Sequence, residues 1–303
     1  MKWTPGRRSQ NLEDRRGESP GRMRAGLPGL RLPGGRGGRL SITGLLLVLG
    51  VVWLLGGDPL SLLMGGGGGD GTVEMPGGDP YGAAPGPTGP AASSPAEERM
   101  VEFVSFVLDD AQAVWARLLP GYQEARLVLF RDGVESACGF AQTAVGPFYC
   151  PGDHRVYIDL AFFEELHRRF GAPGDFAQAY VLAHELGHHV QRLTGTEEQV
   201  RRAQQANPDA ANELSVRMEL QADCYAGVWG HSTSQRDLLE AGDVDEGLAA
   251  AAAVGDDRIQ GMAGGAISPE RWTHGSSQQR AEWFRRGFET GDPNACDTFG
   301  GRG

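Results

Sequence analysis

His184 and His188 stand four positions apart, with Glu185 directly after the first, in Ala179-Tyr-Val-Leu-Ala-His-Glu-Leu-Gly-His-His-Val-Gln191. Four residues make slightly more than one helical turn, so both imidazoles project from one face. Stacked in this way they can reach a single Zn²⁺ at about 2.0–2.1 Å. Glu185, one position round the helix, can reach a water polarised by that ion without being a ligand. A surface helix can carry the same residues by chance. Here they sit in an apolar run of Phe176, Tyr180, Val181, Leu182, Ala183, Leu186 and Val190, which predicts burial. Isolated polar groups would be costly there, whereas a metal cluster satisfies them. The stretch points to zinc, provided a third ligand exists.

Catalytic zinc sites take three protein ligands and leave a position for water. In the metzincin layout a glycine and a histidine follow the second motif histidine by three and six positions, but Gln191 and Thr194 stand there. The other route is a carboxylate from a later helix. Asn207-Pro208 opens a predicted helix that runs to about Val228, with Asp209, Glu213, Glu219 and Asp223 as its acids. Glu219 and Asp223 are four apart and share a face. Glu219 is the expected ligand, and Asp223 the expected acceptor for a ligand histidine's free N–H, which would fix its tautomer. A solvated acidic face has the same spacing, but Leu220, Ala222, Tyr225, Ala226 and Val228 favour burial.

Four separated stretches, His184-Glu-Leu-Gly-His-His-Val-Gln191, Glu219-Leu-Gln-Ala-Asp-Cys-Tyr-Ala-Gly227, Gly146-Pro-Phe-Tyr-Cys-Pro151 and Thr273-His-Gly-Ser-Ser277, resemble the bacterial neutral zinc metallopeptidases. The resemblance covers about residues 98–299. More distantly the chain is similar to gluzincins, whose third ligand comes from a Glu-x-x-x-Asp helix. It implies a zincin fold with an N-terminal anchor and Zn²⁺ as cofactor, and leaves the substrate open. A peptidase also needs a donor for the oxyanion that forms at the scissile carbonyl. The resemblance favours His274, in its Gly/Ser-flanked loop, with Tyr225 as the alternative.

The elements that must position these residues follow from periodicity. Arg99–Leu119 reads as an apolar-striped helix closed by Pro120-Gly121, and Ala125–Phe130 as an alternating strand, with Arg131-Asp132-Gly133 as a turn. Residues 147–150 and 155–159 read as a hairpin around Pro151-Gly152-Asp153. Leu160–Phe170 is helical; Asp175 is placed to cap the motif helix, which should stop at Gly195. Two further helical regions lie near Gln235–Met262 and Ser277–Thr290. The expected fold is α+β, mainly helical, with a small antiparallel sheet. Its Arg155–Asp159 strand is the expected edge for an extended substrate.

The rest of the chain divides by composition. Residues 1–39, rich in Arg, Gly and Pro, read as a disordered basic arm. Residues 1–40 hold ten basic and three acidic residues, so the remainder is more acidic than the overall −11, which argues against a nucleic-acid partner. Residues 40–57 carry no charge and span about 27 Å as a helix, close to the hydrocarbon thickness. A cleaved signal peptide competes with this reading, but the long basic lead and the lack of an Ala-x-Ala site favour a single-pass anchor. The positive-inside rule then puts the arm in the cytoplasm and the domain outside. Residues 58–97 read as a Gly/Pro-rich linker, and 98–303 as the catalytic domain.

Cys138, Cys150, Cys224 and Cys296 all follow the apolar segment, and an even number on an oxidising side suggests two disulfides. Connectivity stays open: Cys138–Cys150 is the local pair, and Cys224–Cys296 would tie the end of the chain to the Glu219 helix. His189 points about 100° away from His188 and is expected to pack. His167 reads as surface, His154 and His231 as turn residues, and Asp256-Asp257-Arg258 as a solvated turn. The expected function is membrane-anchored, zinc-dependent hydrolysis of peptides or proteins, with His184, His188 and Glu219 on the metal and Glu185 as general base. The rival is an inactive zincin fold serving as an envelope binding or assembly module.

Overall fold

The first eighteen residues depart from the expected disordered arm. Leu12–Asp14 forms β1, hydrogen-bonded in parallel to a strand of the domain. Composition averaged over 1–39 hid two features of this segment. Met1, Trp3 and Leu12 pack into the main core, Trp3 edge-on to Phe103 at 5.4 Å between centroids. The arginines also find acids: Arg16, 5% exposed, lies 2.7 Å from Asp14 and 3.0 Å from both Glu97 and Glu98. The computed structural model describes residues 1–18, 93–142, 146–170, 174–262 and 267–300. The expected anchor at 40–57, and the linker up to residue 92, lie outside them. No helix among the described residues is long and apolar enough to cross a membrane.

Pro95–Leu118 forms α1, starting four residues before the expected boundary because Ser94 caps it, accepting from the Glu97 amide at 3.1 Å, with Pro95 in the first turn. Next come β2 (Arg126–Phe130), β3 (Gly133–Ser136), β4 (Gly139–Gln142), β5 (Phe148–Cys150) and β6 (Arg155–Asp159). The main sheet has the order β1-β2-β6-β5. It is mixed rather than antiparallel: β1/β2 and β2/β6 are parallel, and only β5/β6 is antiparallel. The 147–159 hairpin is therefore present, but β6 lies inside the sheet and is not the expected edge strand; β5 is at the edge. Leu127, Leu129, Val156 and Ile158 face the helical core. Val128, Phe130 and Tyr157 face the β3/β4 hairpin, which lay hidden in what read as a turn. Cys138–Cys150 ties this hairpin to β5.

The helices α2 (Ala161–Phe170), α3 (Asp175–Thr194), α4 (Thr196–Ala206), α5 (Ala211–Gln235), α6 (Asp243–Ala253), α7 (Asp256–Met262) and α8 (Ser277–Thr290) complete the domain, which is mainly helical with small sheets. Helix α3 stops at Gly195, whose φ of 79° gives the left-handed C-cap. Asp175 does not cap it. It is the first helical residue, with its carboxylate 2.6 Å from the Met1 amino group. Helix α5 packs against both α3 and α8. The α5/α8 approach depends on two glycines: a Cβ on Gly227 would lie 2.1 Å from the Phe284 carbonyl oxygen, and one on Gly287 1.9 Å from that of Cys224. The second disulfide, Cys224–Cys296, joins the end of the chain to α5.

Candidate metal centre

Helix α3 buries His184 and Glu185, at 6% and 8% exposure, and α5 crosses it with Glu219 aimed at both histidines. The Glu219 carboxylate has Oε2 3.2 Å from His184 Nε2 and Oε1 3.5 Å from His188 Nε2. One ligand atom from each of the three residues falls within 4.8 Å of the other two. Tetrahedral ligands at about 2.0–2.1 Å from an ion are about 3.3–3.4 Å apart, so the spacing fits a zinc ion, and two imidazoles with a carboxylate suit it chemically.

The ring nitrogens away from this point are pinned. Asp223 Oδ1 accepts from His184 Nδ1 at 2.8 Å, which turns Nε2 toward Glu219. Gln191 does the same for His188: its Nε2 donates to the Met218 carbonyl at 2.7 Å, leaving Oε1 to accept from His188 Nδ1 at 2.8 Å. Asp223 is fully buried and also accepts from the Tyr180 hydroxyl and from Arg280. Burial alone would push both histidines down. For His184, Asp223 and then Glu219 outweigh it and raise the pKa to about 10; for His188, Glu219 raises it. Burial would raise Glu219, but the two imidazolium charges hold it well below the carboxylate range. Asp223 is likewise held down against burial, chiefly by Arg280.

The centre opens into a cavity of about 740 Å³ lined by Glu185, by Phe148 and Tyr149 of β5, by His274 and Arg280, and by Phe162, Val181, Val254, Ile259 and Met262. His274 lies on the rim, its side chain 48% exposed and Nδ1 3.2 Å from Asp256 Oδ1. The Asp256-Asp257-Arg258 stretch is not a solvated turn. Asp256 is buried and begins α7, and its Oδ2 accepts from the amides of Thr273, His274 and Gly275 at 2.8, 2.6 and 3.1 Å. Tyr225, the alternative oxyanion donor, is elsewhere, edge-on to Trp115 at 5.1 Å in a separate buried cluster. His189 packs: its Nε2 donates to the Gln123 carbonyl at 2.6 Å and its Nδ1 lies 3.0 Å from the Tyr149 hydroxyl. Thus His184, Glu185, His188, Glu219, Asp223 and His274 come together, joined by Tyr180, Gln191 and Arg280, which motif spacing did not reveal. An apolar stripe concealed Tyr180, and the site position of Arg280 depends on how α8 docks.

The sequence matches, over residues 1–299, the family model described as "Putative neutral zinc metallopeptidase". The chain belongs to this family. Its match includes residues 1–18, in agreement with their place in the sheet. An Escherichia coli relative, described as the uncharacterized protein YpfJ, is 45% identical over 305 residues, covering 99% of both chains. Uncharacterized proteins Mb2605 of Mycobacterium bovis and Rv2575 of Mycobacterium tuberculosis are each 50% identical over 202 residues, 63% of this chain and 68% of theirs. No solved structure matches.

Proposed function

We propose that this family member is a zinc-dependent peptidase in which His184, His188 and Glu219 hold the ion and Glu185 is the general base. The observation that carries the proposal is the ligand spacing of 3.2 and 3.5 Å beside a buried glutamate on the cavity wall. Zinc in such a site polarises the scissile carbonyl and lowers the pKa of a water toward about 7. Glu185 accepts the proton of the attacking water and returns it to the leaving amine, work typically contributing about 10²–10⁴-fold. No described residue hydrogen-bonds to its carboxylate, which stays available for that transfer. β5 is the sheet edge beside the cavity and can pair with an extended substrate. The apolar wall of Phe162, Val181, Val254, Ile259 and Met262 accepts an apolar side chain, and His274 is the oxyanion donor. Substrates are thus extended peptides or unfolded protein segments with a large apolar residue next to the cleaved bond.

The same proposal places residues 93–300 on the oxidising side of a membrane, which the two disulfides support, with residues 40–57 as the point of membrane contact. β1 shares hydrogen bonds with β2, so this proposal puts residues 1–18 on that side too, in place of both the cytoplasmic arm and the single-pass crossing expected from the sequence. Reporters fused at either end of the chain should read the same side; opposite readings would refute this placement. The catalytic reading is tested by Glu185→Gln. It should keep zinc and lose at least about 10²-fold in cleavage of a peptide library. A wild-type protein that holds zinc and cleaves nothing would instead favour a binding or assembly module.

A further inference from the structure

Arg280 is the one arginine that reaches the metal centre among the described residues, and it lies beneath the ligands rather than at the mouth of the cavity. It is 2% exposed. Its guanidinium meets Asp223 side-on, Nε 2.8 Å from Oδ2 and Nη2 3.0 Å from Oδ1, while Nη1 donates to the Val254 carbonyl at 3.3 Å. Nη2 is also 3.3 Å from the Tyr180 hydroxyl, 3.7 Å from Glu219 Oε2, and 3.3 and 3.5 Å from His184 Nδ1 and Nε2; Nδ1 already donates to Asp223, so the guanidinium reaches the ring chiefly by way of that carboxylate. We propose that Arg280 is a positioning residue for the zinc site: acting through Asp223, it sets the orientation of the His184 imidazole. The proposal rests on the metal-centre reading above and extends it.

Two parallel N–H···O bonds fix the plane of a carboxylate, whereas a single donor leaves it free to swing about its last torsion. With the Asp223 plane fixed, Oδ1 stays 2.8 Å from His184 Nδ1 and the ring keeps Nε2 toward Glu219. Stability alone does not explain the arrangement, since a buried ion pair returns little net stability over apolar packing of similar volume. Arg280 is itself held firmly at the start of α8. Ser276 and Gln279 form a reciprocal capping box, and Asp257 accepts from the Ser277 amide and hydroxyl at 2.7 and 2.9 Å. The Asp256-clamped loop that carries His274 leads directly into that cap, so one rigid element delivers both residues. A lysine would supply charge but not the planar fork.

The test measures zinc dissociation constants by competition with a chromophoric chelator for the full-length wild type, Arg280→Met, Arg280→Lys, Asp223→Asn and the Arg280→Met/Asp223→Asn double variant. Melting of each metal-free protein in EDTA reports the fold separately. Arg280→Met should weaken zinc by about 10–100-fold, the range for residues that orient a metal ligand. The double variant should bind no more than about threefold more weakly than Asp223→Asn, because both changes remove the same orientation. Arg280→Lys keeps the buried charge and should remain at least about fivefold weakened; it carries the test if Arg280→Met does not fold. Either Arg280 variant binding zinc within about twofold of wild type, or losses that multiply in the double variant, would overturn the role. A wild type that binds no zinc would instead overturn the metal centre itself, and the proposal with it.

Discussion

Gly287→Ala is the sharpest test of how remote packing sets the site. The new Cβ would lie 1.9 Å from the Cys224 carbonyl oxygen, 2.8 Å from its carbon and 2.9 Å from the Val228 nitrogen. All three are backbone atoms, so no side chain can rotate away, and α8 must retreat from α5 by about 1.5 Å to restore ordinary contact. Overpacking of this kind costs about 1–3 kcal/mol, and an unyielding backbone puts this position at the upper end. The helix-propensity gain of alanine over glycine returns about 1 kcal/mol. The net expectation is a loss of about 1–2 kcal/mol, or about 2–8 °C in melting temperature for a domain of this size. The same retreat stretches the Arg280–Asp223 contacts of 2.8 and 3.0 Å beyond hydrogen-bond range, so zinc should bind more weakly. Melting in EDTA and zinc titration read the two effects. Gly261, in a helix with nothing within 4 Å of its Cβ position, is the control, and alanine there should be neutral or stabilise by up to about 1 kcal/mol. A Gly287→Ala protein as stable as wild type, with unchanged zinc affinity, would refute the reasoning.

Further expectations follow from the same contacts. Asp256→Ala removes the acceptor of three loop amides and should lower kcat for peptide cleavage by about tenfold or more; an unchanged kcat would remove the His274 loop from the reaction. Replacing Cys138 and Cys150 together by serine releases β5 from the β3/β4 hairpin. It should cost about 2–4 kcal/mol and raise KM more than it lowers kcat, whereas an unchanged KM would remove β5 from substrate binding. Asp14 has its pKa lowered chiefly by the Arg16 hydrogen bond, so its contribution to stability is present above about pH 3.9 and is lost as pH falls through the lower folded value. Protection of the Arg15 amide, which donates to the Leu129 carbonyl at 2.8 Å, should therefore persist at pH 5, relative to the unstructured exchange rate, and fall only once the pH drops below the free-carboxylate value of about 3.9. Detachment of β1 already near pH 5 would contradict the pairing.

The ligand face was legible because helix geometry is local: four-residue spacing puts His184 above His188 and Glu219 above Asp223 whatever the tertiary fold. The disulfide pairs also agreed with proximity along the chain and with the need to anchor its end. What spacing could not show was orientation between elements. Gln191 stood out in the sequence only for not being a glycine, yet it holds His188 because α5 brings the Met218 carbonyl to its amide nitrogen. Arg280 is one of several charges in the Ser277–Thr290 helix, and only the docking of α8 through Gly227 and Gly287 brings it to the site. β1 was lost in the composition of a longer segment, since three apolar side chains and a few ion pairs are enough to order eighteen residues against a preformed sheet. Parallel pairing of β2 with β6 was equally hidden, because alternation reports faces and not strand direction.

Anomalous diffraction at the zinc absorption edge, from crystals of full-length protein grown with equimolar zinc, addresses the metal centre most directly. One peak is expected, about 2.0–2.1 Å from His184 Nε2, His188 Nε2 and a Glu219 carboxylate oxygen, and it should vanish in Glu219→Ala. No peak between these residues, or a peak instead among Asp175, Asp243 and Glu246, a second group among the described residues whose ligand atoms approach within 4.8 Å, would contradict it.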